Sequence, residues 1–357
     1  MKVPCLPRAL RLLLAAFAAG AAVPLARAVA TSLATELETF QTDVRNYNVI
    51  SFGNSTFTNF GDTQGPLAIG GNLTLDGGTV AAQPGNFGVD SDPTLYVAGQ
   101  LTLSGETQLD SGYASTPALD CSWMWNASTK TLSDSSGSLD STNAGSADAA
   151  NNPIDNPAPA NWSWSTAASQ LTTVSNALAG ATSNGTISVS SQNLVLTAPT
   201  NPSTGVDVFT LNANDISGNT YNGQTFSNVQ INVPTGVNYV INVINAAGTT
   251  IFGSGVNVNS GTNDSQVLWN IEGSGTVTLG GGQFIGSVLA PTATINNGGS
   301  TIVTGQVVAD SFNDNDAETH YQAFVVGSVV VPEPATFAWC ALGLCGLVAV
   351  LRRRCVS

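Results

Sequence analysis

One feature constrains this chain more than any other: a 13-residue segment recurs after 28 positions. Leu67–Thr79 and Leu95–Thr107 share Leu67/Leu95, Gly71/Gly99, Leu73/Leu101, Thr74/Thr102, Leu75/Leu103, Gly77/Gly105 and Thr79/Thr107, with Ile69/Val97 conservative. A second pair lies late in the chain, where Gly286–Ala290 returns as Gly305–Ala309 after 19 positions. Each unit is a short alternating strand followed by a Gly or Asn turn. In Leu73-Thr74-Leu75 the leucines share one face and the threonine takes the other. One such strand cannot bury its apolar face alone, whereas stacked coils bury a continuous column. The expected fold is therefore all-β, a parallel β-solenoid (β-helix). An antiparallel sandwich of many short strands is the alternative.

Two stretches depart from this pattern. Residues 111–160 are rich in Ser, Ala, Asn, Asp and Gly and carry Pro153, Pro157 and Pro159, which reads as an exposed insertion. From 165 to 180, Ala168, Leu171, Val174 and Leu178 fall at helical spacing and predict one amphipathic helix lying along the solenoid or capping it.

Both termini read as targeting segments. Lys2, Arg8 and Arg11 precede a 12-residue apolar run, Leu12–Val23, and Ala26-Arg27-Ala28 fits a small-x-small cleavage site. Residues 1–30 are thus expected to be a signal peptide with a signal helix. At the other end, residues 326–357 form a tail whose 17 uncharged residues, Ala335–Leu351, are long enough for a short transmembrane helix. Arg352, Arg353 and Arg354 would hold its far end in the cytoplasm. Pro332-Glu333-Pro334, the apolar helix and the arginine cluster, in that order, resemble the PEP-CTERM sorting signal of Gram-negative bacteria. That resemblance implies processing by an exosortase and association with biofilm and exopolysaccharide. The expected route is export, an inner-membrane-anchored precursor, then the cell surface or extracellular matrix.

Charge narrows the partners. The whole chain carries a formal −14, and between Thr31 and Val330 two bases, Arg45 and Lys130, face 22 acids, a net −20. Nucleic acid is excluded as a partner by repulsion. Cys121 is the single cysteine of that region, so an intramolecular disulfide and a cysteine metal site are excluded there. Beside Trp123 and Trp125 it reads as a buried apolar residue.

The body, residues 31–325, resembles the choice-of-anchor A domain of bacterial surface proteins. The resemblance rests on Tyr47-Asn48-Val49-Ile50, Gly65–Asn72 with its Gly-Gly-Asn end, Leu268-Trp269-Asn270, Gly286–Pro291, Gly305-Gln306-Val307 and Glu318-x-His320-x-x-x-Phe324. It implies an adhesive or matrix domain without catalysis.

Candidate sites follow from the residues themselves. Asp310, Asp314, Asp316 and Glu318, interleaved with Asn313 and Asn315, are the densest oxygen cluster and would suit Ca²⁺, although a solvated acidic loop gives the same pattern. No other cofactor is implied. Trp123/Trp125 and Trp162/Trp164 are two Trp-x-Trp pairs, able to stack on sugars or to pin the insertion down. His320 is the only histidine, and the expected arrangement pairs it with Glu318. Lyase chemistry on acidic sugars lacks the bases it needs; a hydrolase built on two carboxylates remains open. Thr276-x-Thr278 and Thr292-x-Thr294 are too few, and not repeated at coil spacing, for an ice-matching threonine ladder. The reading is an exported, non-enzymatic adhesin of the surface or matrix, with exopolysaccharide or other surface proteins as partners. The rivals are a carbohydrate-active enzyme and a ligand-free spacer.

Overall fold

The computed structural model describes residues 33–327 apart from 86, 88–91, 120–122, 143–151, 200–204, 233, 235, 254–256 and 260–262. The signal peptide, the sorting tail with its apolar helix, and Cys121 lie outside the described residues. Among the described residues no helix is long and apolar enough to cross a membrane.

The repeats set the register. Leu67 pairs with Leu95, Leu73 with Leu101, Thr74 with Thr102 and Leu75 with Leu103, all in parallel strands. The 19-residue repeat does the same, with Val288 opposite Val307 and Ala290 opposite Ala309. Parallel strands form three faces around one apolar interior. The first face runs through 114–115, 95–97, 67–69, 49–51, 307–309, 287–290, 267–271, 238–244 and 206–212. The second runs through 118–119, 100–103, 73–76, 55–58, 311–315, 293–298, 275–279 and 250–251. The third runs through 138–140, 106–109, 79–80, 62–63, 318–320, 302–304, 283–285, 257–259, 228–231 and 193–197.

These rungs are not laid down in chain order. Residues 49–140 build outward to one end, the chain crosses to the other end, and residues 186–320 build back until the last rung lies against the first. The seam pairs Val49 with Val307, Thr56 with Asn313 and Thr63 with Thr319. Antiparallel hairpins finish both ends of the third face, 124–126 with 131–133 and 186–190 with 193–197. The insertion expected over 111–160 is therefore in part structure. Residues 114–115, 118–119 and 138–140 continue the rungs, because their alternating residues, such as buried Leu139 between half-buried Ser138 and Asp140, still fit the stack.

Two helices cover the first face, where one was expected. The first, α1, spans residues 33–44 and buries Leu37, Phe40 and Val44. The second, α2, is Trp164–Ala179, capped by the Ser163 hydroxyl, with Ala167, Leu171, Val174 and Leu178 buried. Ala168, one residue off that stripe, is half-buried. It runs from Trp164, stacked on Tyr96 at 5.5 Å, to Leu178, whose carbonyl accepts from Asn242 Nδ2 at 2.8 Å. Asn270 completes the attachment, accepting from Ser175 Oγ at 2.6 Å and donating to Asn242 Oδ1 at 2.9 Å. Among the described residues nothing covers the second and third faces, and their outward residues are mostly polar.

Candidate functional site

The second face turns a simple local rule into an extended surface. Its strands alternate, so inward Val277, Ile295, Phe312, Leu73 and Leu101 fill the interior while their neighbours point out. In register across seven strands stand Thr250, Thr278, Asn296, Asn313, Thr56, Thr74 and Thr102. At ~4.8 Å per strand the column is about 29 Å long. Thr276, Thr294 and Ser311 form a second column on one side, and Asn315, Thr58 and Asp76 a third on the other. Asn313 Nδ2 donates to Asn296 Oδ1 at 3.0 Å, so the amides order one another. Hydroxyls and amides both donate and accept. The result is a nearly uncharged, in-register lattice of hydrogen-bonding groups.

The corner feeding this face explains the Gly-Gly-Asn motif. Asn54 Oδ1 accepts from Asn72 N at 2.8 Å, and Asn72 Oδ1 accepts from Gln100 N at 2.9 Å. A Cβ on Gly71 would lie 2.5 Å from both Asn54 Oδ1 and the Gly53 carbonyl carbon, so only glycine fits beneath the amide.

The third face is less uniform. Its outward column begins Asn193, Asn228, Asn257, Gln283 and then changes to Ile302, Glu318 and Asp62. Here Glu318 Oε2 meets His320 Nε2 at 3.0 Å, the pairing expected from the sequence.

The four acids proposed as a Ca²⁺ cluster do not converge. Asp310 and Asp316 are exposed, Glu318 lies on the third face, and Asp314 points inward with 1% of its surface accessible. Alternation along the strand decides this: Asp314 falls in the inward phase between Asn313 and Asn315. Its Oδ2 accepts from Asn297 Nδ2 at 3.2 Å, and burial pushes its pKa up to about 7. Asp207 is likewise buried and pushed up to about 6, with the Asn184 amide partly offsetting the desolvation.

Trp123, Trp125, Trp162 and Trp164 are all half-buried and pack inward rather than forming open platforms. Trp123 and Trp125 sit against the main interior. Trp162 lies edge-on to Tyr47 at 5.8 Å and under the Arg45 guanidinium at 5.1 Å, and Trp164 covers Phe52 and Tyr96. Arg45 in turn pairs with Asp92 at 2.7 Å. The sorting residues Pro332, Glu333, Pro334, Arg352, Arg353 and Arg354 lie outside the described residues.

The model of the family described as "Putative Ice-binding-like adhesive domain" matches residues 41–321, which hold every parallel rung. The chain belongs to this family. Membership in an ice-binding-like adhesive family places it among surface or extracellular proteins. Among solved structures, an ice-binding protein from an Arctic yeast is 11% identical, covering 81% of this chain and 96% of that one, with a TM-score of 0.34. The ice-binding protein 1 domain of Shewanella frigidimarina is 12% identical over 80% and 97%, TM-score 0.34. An ice-binding protein from an Antarctic biological consortium is 14% identical over 78% and 88%, TM-score 0.32. No residue correspondence follows at such scores. No curated protein matches the chain.

The ladder is the surface feature that sequence reading missed. Its members come from strands as far apart as Thr56 and Asn313, and only the seam sets them side by side. The Thr-x-Thr pairs were the available signal, but their registers are invisible along the chain.

Proposed function

We propose that this chain is an exported, non-enzymatic adhesin of the bacterial surface or extracellular matrix, and that its second face binds a hydroxyl-rich polymer, exopolysaccharide being the partner of that chemistry. The observation that carries the reading is the seven-strand Thr/Asn column, a neutral lattice about 29 Å long suited to many weak contacts along a chain of sugars. Membership in an adhesive family supports it, as does the net −20 of residues 31–330 with their two bases, which leaves nucleic acid out. The finer assignment is a choice-of-anchor A domain carrying a PEP-CTERM tail, processed by an exosortase of a Gram-negative bacterium from an inner-membrane precursor. It rests on the motifs quoted above and on the Pro332-Glu333-Pro334, apolar and arginine segments.

The test is co-sedimentation of the purified full chain with exopolysaccharide of the producing strain, assaying sugar ends in the same tubes. Binding without released ends, reduced at least ~10-fold by Thr56→Tyr with Thr278→Tyr, is expected. Released ends, or binding indifferent to the double variant, would overturn it. The same column also matches the requirement for ordering water, so ice shaping by the wild type alone would favour that second reading.

A further inference from the structure

We propose that Asp62, Glu318 and His320 form a site for a divalent transition metal, Zn²⁺ being the best fit, that fastens the last rung of the chain to the first. The three stand together on the third face although Asp62 and Glu318 are 256 positions apart in sequence. Pairing of Thr63 with Thr319 sets Asp62 beside Glu318, and His320 follows two residues later on the same side of the strand.

One ligand atom from each residue lies within 4.8 Å of the other two. Zn²⁺ binds nitrogen and oxygen donors at about 2.0–2.2 Å, which places tetrahedral ligands roughly 3.3 Å apart. The 3.0 Å between Glu318 Oε2 and His320 Nε2 already meets that spacing. Asp62 closes the site by a side-chain rotation. Glu318 is held against the strand over Gly61, where a Cβ would lie 2.7 Å from its Oε1.

An independent observation points the same way. Asp62 Oδ1 is shielded from solvent and has no hydrogen-bond partner, an arrangement that costs free energy unless something occupies it. An ion pair between Glu318 and His320 leaves that oxygen unserved. Two carboxylates also meet one imidazole here, while Arg45 is committed to Asp92 and Trp162. Imidazole selects a borderline metal over Ca²⁺ or Mg²⁺, which take oxygen ligands. Three protein ligands on an uncovered face leave a fourth position for water.

The experiment is calorimetric titration of Zn²⁺ into the tag-free full chain after chelator treatment, with the single imidazole followed by NMR. One Zn²⁺ that shifts the His320 resonance is expected, with a rise in melting temperature. Asp62→Asn, Glu318→Gln and His320→Gln should each weaken this binding at least ~10-fold and remove the thermal gain. Ca²⁺ should give neither signal. Failure to bind overturns the proposal. So does binding that leaves the imidazole resonance unmoved, which would assign the metal to the thiols.

Discussion

Asp314→Asn should make this protein more stable as the pH rises, and the structure supplies the size of the effect. Asp314 and Asn297 occupy the interior where leucines and phenylalanines fill the other rungs, and each keeps one buried oxygen without a partner, Asp314 Oδ1 and Asn297 Oδ1. Asn297 Nδ2 already donates to Asp314 Oδ2. A proton on Oδ1 would let the acid donate back to Asn297 Oδ1, closing a two-bond pair and satisfying both orphans. Burial in this apolar interior raises the folded pKa to about 7 against an ordinary 3.8, the Asn297 amide offsetting part of the shift. Below about pH 4 the group is protonated folded and unfolded, and it costs nothing. As pH rises toward 7 the unfolded chain releases the proton while the folded chain retains it, so stability falls. Three pKa units at 1.36 kcal/mol each give a loss of about 4 kcal/mol above pH 7. Asparagine at 314 supplies the same donor permanently and carries no charge. Urea unfolding of wild type and variant from pH 4 to 8 should therefore show near-equal stability at pH 4 and a gap widening to about 4 kcal/mol at pH 8. Parallel pH profiles would refute both the raised pKa and the neutral pair.

Three further outcomes test other parts of the molecule. Asn48→Ala removes a side chain that donates to Gly305 O at 2.8 Å and accepts from Gly65 N at 3.2 Å, both across buried contacts. It should cost about 3 kcal/mol in urea unfolding and speed hydrogen exchange at 49–51 and 307–309 first. Gly71→Ala forces a Cβ into the Asn54 amide and should cost ~2 kcal/mol or more, whereas Gly85→Ala, with open space around it, should leave the melting temperature nearly unchanged. Trp164→Ala strips the start of α2 from Tyr96 and Phe52 and should cost about 3 kcal/mol in urea unfolding.

What was legible in the sequence follows the distance over which information is carried. Leu67 and Leu95 are one coil apart, and their repetition predicts both the parallel pairing and the register found. The helix at Trp164–Ala179 was readable because its buried stripe is local. The helix over 33–44 was not singled out, although Leu37, Phe40 and Val44 lie at spacings of three and four, because the segment was read with the β body that follows. Asp314 was misread because clustering of acids along a strand says nothing of which face each one takes; alternation sends it inward and its neighbours outward.

The seam marks the limit of that reading and also explains the motifs. No periodicity links residue 49 to residue 307, so the ladder and the Asp62–Glu318–His320 group could not be derived from spacing. Yet several of the residues that carried the family resemblance meet at this seam. Asn48 holds Gly305 and Gly65; Gln306 donates to the Tyr47 carbonyl at 2.8 Å and accepts from Phe324 N at 2.8 Å. Phe324 then packs edge-on against Phe40 of α1 at 5.2 Å. A stack that grows in one direction needs only its repeat to specify it. A stack built from both ends needs in addition a joint that accepts one register, since a slip of one residue there would turn every outward threonine inward. Buried amides with at least two fixed partners each give that selectivity, which an apolar joint would not. The motif residues therefore act on the outer face at a distance: they set Asn313 beside Thr56, and so make one continuous column from two separate halves.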